Sequence, residues 1–345
     1  MSRTHVEQRT FDSLEEKFAF YAKHPNLLRE EFPADRFLCY IVRKLKRLPS
    51  YTRGDELYIL RYGFGIELED LVKMRTFPPR IIKGLERAVK NMESGMSVER
   101  MFGRVYFYGH ELMLKNNVLC PRPETELLVE KVINRLKQVE KTKLPLKAEH
   151  PMSEEPYFYM PKTTWAKQNP AVPYVLDMCT GSGCIGVSVA KACPFCYVTL
   201  SDISLKAMDN ARCNVHLLNT IWNTRLNRAG DMFEKIEGRF DVIVSNPPYI
   251  KQGDIPKLSK QVTDYDPLTA LDGGKDGLKF YKVIASEAKH YLRKDGVVMM
   301  EIGSRQGRSV RKIFEKNGYE VEVIKDFASK DRIVVAIPMD YKEEV

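Results

Sequence analysis

No stretch of about 18 or more uncharged apolar residues occurs in this chain of 345 residues, so no membrane-crossing helix is predicted. The first twenty residues carry Glu7, Asp12, Glu15 and Glu16, which argues against a secretory signal or transit peptide and makes the cytoplasm the expected address. Histidine is scarce, with six in all. The seven cysteines, Cys39, Cys120, Cys179, Cys184, Cys193, Cys196 and Cys213, form an odd, scattered set, as expected of reduced thiols. Cys193-Pro-Phe-Cys196 has no second CxxC or histidine pair nearby, and it closes a helix instead of opening one where the dipole would lower a thiol pKa. Packing is its expected role, and no metal site is expected. There is no internal repeat.

What is present suits an ordinary globular protein. A hydrophobic content of 43% is enough for a core, and the length favours two domains. A formal charge of +9 suits an anionic partner such as RNA, DNA or a ribosome-associated protein. The densest basic cluster, Arg43, Lys44, Lys46 and Arg47, nonetheless reads first as the solvated face of a helix.

From about residue 12 to 93, apolar residues recur at helical spacing, in Leu14, Phe18 and Tyr21 and again in Phe37, Leu38, Ile41, Val42 and Leu45. Pro78 and Pro79 start a further helix through Ile81, Ile82, Leu85 and Val89, and Gly95 ends it. Alternating apolar and aromatic residues from Arg104 to Leu114, around Gly109-His110, predict a hairpin. A helix from about Pro123 to Val139 is followed by a stretch with Pro145, Pro151, Pro156, Pro161, Pro170 and Pro173, where regular structure is not expected. Its aromatics Tyr157, Phe158, Tyr159 and Trp165 are expected to fold back on the surface. The division read here is a helical domain over 1–96, a hairpin linker over 97–120, and an α/β domain over 121–345 with a proline-rich insert at about 140–172. Within it, strand-like runs Tyr174–Met178, Tyr197–Leu200, Phe240–Val244, Val297–Ile302, Tyr319–Ile324 and Ile333–Ile337 alternate with helical stretches. That alternation predicts a mainly parallel sheet with helices on both faces.

The first of these strands runs into Asp177-Met-Cys179-Thr180-Gly181-Ser182-Gly183-Cys-Ile-Gly186, and a helix follows at once. Glycines let such a loop turn sharply and approach a nucleoside closely, at the point where open α/β sheets bind ligands. The second strand ends at Asp202, where a carboxylate can take both ribose hydroxyls; Asp231, before Met232-Phe233, can bracket an adenine. The loop would also serve NAD, but no acid or base constellation for hydride transfer is evident.

The fourth strand runs directly into Asn246-Pro247-Pro248-Tyr249. Two prolines forbid both helix and ladder, so the carbonyls of Asn246 and Pro247 are expected to point into the cleft as acceptors for an NH2 group. The Asn side-chain oxygen and a proline carbonyl can hold both hydrogens of a planar nitrogen, and Tyr249 can stack on its π face. An amide nitrogen is a poor nucleophile because its lone pair is delocalised, so an already activated donor such as a sulfonium suits it and the protein's contribution is positioning.

These residues carry a resemblance to the HemK/PrmC-type family of glutamine N5-methyltransferases that modify peptide chain release factors. It extends over most of the chain, through Val118-Leu-Cys-Pro-Arg-Pro-Glu-Thr-Glu126 upstream, Asp266-Pro-Leu-Thr-Ala-Leu-Asp-Gly-Gly-Lys-Asp-Gly277 after the motif, and Glu301-Ile-Gly303 in the fifth strand. The resemblance implies a class I, Rossmann-like methyltransferase sheet with a small all-helical N-terminal domain that helps to recognise the release factor. It implies S-adenosyl-L-methionine as cofactor, held by Asp177, Cys179, Thr180, Gly181, Ser182, Gly183, Asp202, Asp231, Met232 and Asn246. It also implies a substrate glutamine, from a Gly-Gly-Gln loop, held on Asn246, Pro247, Pro248 and Tyr249 with Arg122. A monomer that needs neither membrane nor nucleic acid is expected. Cys179 stands where the family usually has Gly, Met232 where an aromatic is frequent, and the insert is longer than usual.

Three other readings compete. A ribosomal-protein glutamine is a close variant. A nucleic-acid N-methyltransferase would use the same clamp on an adenine or guanine amino group, although a duplex enzyme must flip its base and usually carries a further recognition domain. A silent cofactor-binding protein would not need the intact motif.

Overall fold

The computed structural model describes residues 32–48, 51–140, 168–227 and 229–339. Leu14, Phe18 and Tyr21, and the insert's Tyr157, Phe158, Tyr159 and Trp165, lie outside the described residues. Contacts divide the chain into two compact units at Gly103/Arg104.

The first unit is helical: Ala34–Leu45, Asp55–Phe64, Leu68–Lys73, Pro79–Glu93 and Val98–Phe102. Two short strands, β1 (Phe32–Pro33) and β2 (Thr76–Phe77), pair antiparallel. Phe37, Ile41 and Leu45 recur every four residues along one helix face and are fully buried. In Pro79–Glu93, proline occupies the first turn, where a missing N–H costs nothing, and Ile81, Ile82, Leu85, Ala88, Val89 and Met92 form the buried stripe. Of the basic cluster, Arg43, Lys46 and Arg47 are exposed, whereas Lys44 is half-buried and pairs with Glu86 at 2.9 Å, tying two helices together.

In the second unit the hairpin forms as β3 (Arg104–Phe107) and β4 (His110–Met113), and the helix Glu126–Glu140 follows. The strands β5 (Tyr174–Met178), β6 (Tyr197–Ser201), β7 (Thr224–Leu226), β8 (Phe240–Ser245) and β9 (Leu292–Glu301) run parallel. Beyond β9, β11 (Asp331–Pro338) and β10 (Tyr319–Lys325) are antiparallel, and the order across the sheet is β10-β11-β9-β8-β5-β6-β7. Alternate residues of each strand face opposite sides. Val175, Val198, Leu200, Val242, Val244, Val297 and Met299 belong to one apolar cluster with residues of the helices Glu126–Glu140, Cys184–Ala192 and Leu205–Leu217. Leu176, Met178, Ile243, Val298 and Met300 belong to the other, with residues of Lys279–Glu287 and Gly307–Lys316. Strands covered on both faces must be apolar throughout, which is why they read as unbroken hydrophobic runs.

The largest departure from an expected strand boundary is at the start of β9. β9 starts at Leu292, five residues before Val297, because Leu292 pairs with Phe240 and a register shift absorbs Arg293–Gly296 before Val297 pairs with Val242. Those charged residues hid the strand's first turn of pairing from an apolar search. The Cys193–Cys196 pair is buried after the helix Cys184–Ala192, in the packing role expected. Among the described residues no group of three or more His, Cys, Asp or Glu is arranged for a metal.

Candidate active site

The order of strands reverses at β5: β6 and β7 lie on one side, β8 and β9 on the other. The carboxyl ends of β5 and β8 therefore meet at the switch point where such sheets bind ligands. Ser245 fastens them by donating its hydroxyl to the Met178 carbonyl at 2.7 Å.

Beyond Met178 the chain turns through Cys179 (φ 58), Gly181 (φ 57) and Gly183 (φ 81) into the helix that begins at Cys184. Cys179 thus holds a left-handed conformation that favours glycine, the residue the family usually has there. Burial raises the pKa of its thiol. Asp177 is fully buried, and its Oδ2 accepts from Thr180 Oγ1 at 2.5 Å and from the Gly186 N–H at 2.9 Å. Burial pushes that carboxyl up to about 7, against the lowering effect of the two hydrogen bonds. Asp202, at the end of β6, accepts the N–H groups of Gly181 and Ser204, both at 2.9 Å, one on each oxygen. Each oxygen keeps a lone pair, which suits two neighbouring ribose hydroxyls. Burial raises the pKa of Asp202 as well. Asp231 is exposed, with its N–H bound by Glu234, and Met232, like Cys179, has a positive φ, 45°.

On the other side of the switch point, Asn246 Nδ2 donates to Thr125 Oγ1 at 3.3 Å, and Thr125 donates to Glu301 Oε2 at 2.6 Å. The Tyr249 hydroxyl donates to the other oxygen, Glu301 Oε1, at 3.3 Å. Glu301 is 1% exposed, and burial raises its pKa. Burial, followed by the neighbouring Glu301 charge, raises that of the Tyr249 phenol. Arg122 pairs with the buried side chain of Asp266 at 2.6 Å, joining the upstream segment to the one that follows the motif. That following segment returns to the motif. Gly273 N–H donates to the Ile250 carbonyl at 2.8 Å, Ile250 N–H to the Leu271 carbonyl at 3.0 Å, and Gln306 Nε2 to the Tyr249 carbonyl at 3.0 Å.

A cavity of about 370 Å³ connects these parts. Its lining includes Cys179, Thr180, Gly181, Ser182, Asp202, Asp231, Met232, Asn246, Pro248, Arg122 and Thr125. Asp177, Gly183, Pro247 and Tyr249 do not line it: Asp177 shapes the loop from beneath, Gly183 starts the helix, and Tyr249 is directed to Glu301. The two carboxylates, the glycine loop and the volume fit a nucleoside cofactor. Thr125 and Glu301 belong to segments that carry the family resemblance, yet nothing local in the sequence marks them as site residues. Thr125 meets Asn246 across 121 positions of sequence and Glu301 across 176.

Residues 166–263 match the family described as Methyltransferase small domain. The release factor glutamine methyltransferase of Thermodesulfovibrio yellowstonii is 34% identical over 272 residues, covering 77% of this chain and 86% of that protein. That of Clostridium acetobutylicum is 37% identical, covering 70% and 75%, and that of Agrobacterium fabrum is 33% identical, covering 85% and 94%. Identity of this order over most of both chains, with the glycine loop and the Asn246 motif at one switch point, places the protein in the release factor glutamine methyltransferase family.

Proposed function

We propose that this protein methylates the side-chain amide nitrogen of a glutamine in a peptide chain release factor, in its Gly-Gly-Gln loop, with S-adenosyl-L-methionine as methyl donor. The observation that carries this reading is Asn246, placed on the same cavity as the glycine loop and Asp202, with its amide nitrogen already engaged by Thr125. Its oxygen is thereby left for an N–H donor.

Bound in the cavity, the cofactor supplies a methyl group activated by sulfonium. Asp202 and Asp231 are assigned to its ribose and adenine side, and the Cys179–Gly183 turn, with Asp177 supporting it from beneath, to its methionine side. We assign Asn246 Oδ1, which faces the cavity, as the principal acceptor for the glutamine NH2, with Pro248 at the cavity wall, Arg122 at the substrate side, and Pro247 and Tyr249 shaping the motif behind the lining. A fixed acceptor orients the nitrogen and stabilises the positive charge that grows on it, so orientation replaces a strong general base. We assign residues 1–96 to partner recognition and 97–120 to a linker. No helix among the described residues is long and apolar enough to cross a membrane. We assign the protein to the cytoplasm, as a monomer acting on a translation factor.

Methyl-labelled cofactor, incubated separately with release factor, its Gln→Ala loop variant, ribosomal proteins, tRNA and DNA, tests the reading. Label on the factor that disappears in the variant is expected, whereas label on nucleic acid or ribosomal protein would replace the substrate. Asn246→Ala should lower turnover by about 100-fold or more with cofactor affinity nearly unchanged, since it removes an interaction made with the reacting group.

A further inference from the structure

An asparagine carboxamide can present its oxygen or its nitrogen to a cleft, because a half-turn about its last torsion exchanges the two with little change of shape. Only the oxygen suits an NH2 substrate. A chain of hydrogen bonds decides which one Asn246 presents, and it begins at Glu301. Both carboxylate oxygens of Glu301 receive a hydroxyl hydrogen, one from Thr125 at 2.6 Å and one from Tyr249 at 3.3 Å, an arrangement suited to the ionised form. An ionised carboxylate has no hydrogen to give, so Thr125 has to donate to it. Having used its one hydrogen, the Thr125 oxygen can only accept, and the group it faces is the Asn246 amide at 3.3 Å. That end of the amide is therefore the nitrogen, and Oδ1 is left for the cavity that Asn246 lines.

We propose that Thr125 and Glu301 are positioning residues that fix the polarity of Asn246 and so make the acceptor site selective for a primary amide over a carboxylate. The proposal rests on the glutamine-methylation reading. It gives a role to the Thr of the Pro-Arg-Pro-Glu-Thr-Glu segment and to the Glu that ends β9, and it explains why a carboxylate is kept at 1% exposure beside the motif. A buried charge is costly, and replacing Glu301 by a neutral isostere should not endanger the fold. With Glu301→Gln, the side-chain amide can donate to Thr125, which can then donate to Asn246 Oδ1 and turn Nδ2 into the cavity. With Thr125→Val the chain is cut and both orientations of Asn246 become accessible.

The test compares wild type, Thr125→Val, Thr125→Ser and Glu301→Gln on release factor, and measures inhibition of each by a release factor carrying Glu in place of the target Gln. Thr125→Val and Glu301→Gln are expected to lower kcat by about 10- to 100-fold, the range for losing one aligned donor or acceptor in an active site, with cofactor affinity within about twofold. Thr125→Ser, which keeps the hydroxyl, should stay within about threefold of wild type. The Glu-bearing factor should inhibit the Val and Gln variants at least about tenfold more strongly than wild type, because a donor in the cavity welcomes a carboxylate. A purely structural role would not move that selectivity. Equal inhibition of all four proteins, wild-type turnover in Thr125→Val, or equal damage from Ser and Val would overturn the proposal. Failure of the wild-type enzyme to label the glutamine would instead remove the reading beneath it.

Discussion

Asp177 shows how one residue's burial becomes a property of the whole protein's stability. Its carboxyl titrates near 7 in the fold and near its ordinary value, about 4, in the unfolded chain. Between these values the folded protein holds a proton that the unfolded chain has released, so this group's contribution to stability declines as pH rises from about 4 to 7. Above 7 both states are ionised and the cost is constant, on the order of a few kcal/mol. Asp177→Asn keeps an oxygen for Thr180 and Gly186 and cannot ionise. In urea unfolding the variant should match wild type near pH 4 and exceed it at pH 8; the same difference at both would show that ionisation of Asp177 is not the cause. The family resemblance implies a cofactor contact for Asp177. Its actual partners are set by how closely the following helix approaches. A Cβ added to Gly186 would lie 2.2 Å from Leu200 and 2.9 Å from Asp177 Oδ2, and that closeness has no signature beyond a glycine.

At the scale of elements, the strands were legible because burial on both faces demands unbroken apolar runs, and the glycine turn because positive φ is written in residue type. What a strand end meets from distant sequence was not. The segment Asp266–Gly277 matched a family pattern without declaring its job, which the structure makes plain: Gly273 supports the backbone of the Asn246 motif. A Cβ there would stand 2.8 Å from Tyr249 Cα and 2.9 Å from the Pro248 oxygen, and these are backbone atoms that cannot swing away. Gly273 has no positive φ, so alanine is conformationally permitted and its effect is one of volume alone. Gly273→Ala should displace the motif and lower kcat by about 10- to 100-fold, as misplacements near 1 Å do, while cofactor affinity, which depends on the β5 and β6 ends, stays near wild type. An unchanged kcat would mean that the motif is not held from this side. Tyr249 makes the same point: a stacking role is natural for an aromatic beside a planar substrate, but its hydroxyl is directed to Glu301, a residue 52 positions away that local pattern does not link to it.

For the whole molecule, the division into two units has a direct consequence for what each can do. Among the described residues, the buried apolar cluster of the helical unit is made of residues between Ala34 and Val98, and the two clusters of the sheet unit of residues from Val105 onward. Every described residue that lines the cavity lies at or beyond Asn117. A core that borrows nothing from the other unit is the condition for folding alone. Residues 104–345 are therefore expected to fold cooperatively and to bind S-adenosyl-L-methionine within about threefold of the full chain, because the binding site is complete within them. Calorimetric titration of both forms measures this, and loss of binding in the shorter one would show that the first unit completes the site. Turnover separates the units further. If residues 1–96 recognise the partner, the shorter form should methylate an excised Gly-Gly-Gln peptide at the full chain's rate but lose kcat/KM on intact release factor, chiefly through a raised KM, as removal of uniform binding requires. Equal kcat/KM for both forms on the intact factor would instead assign all recognition to the sheet unit.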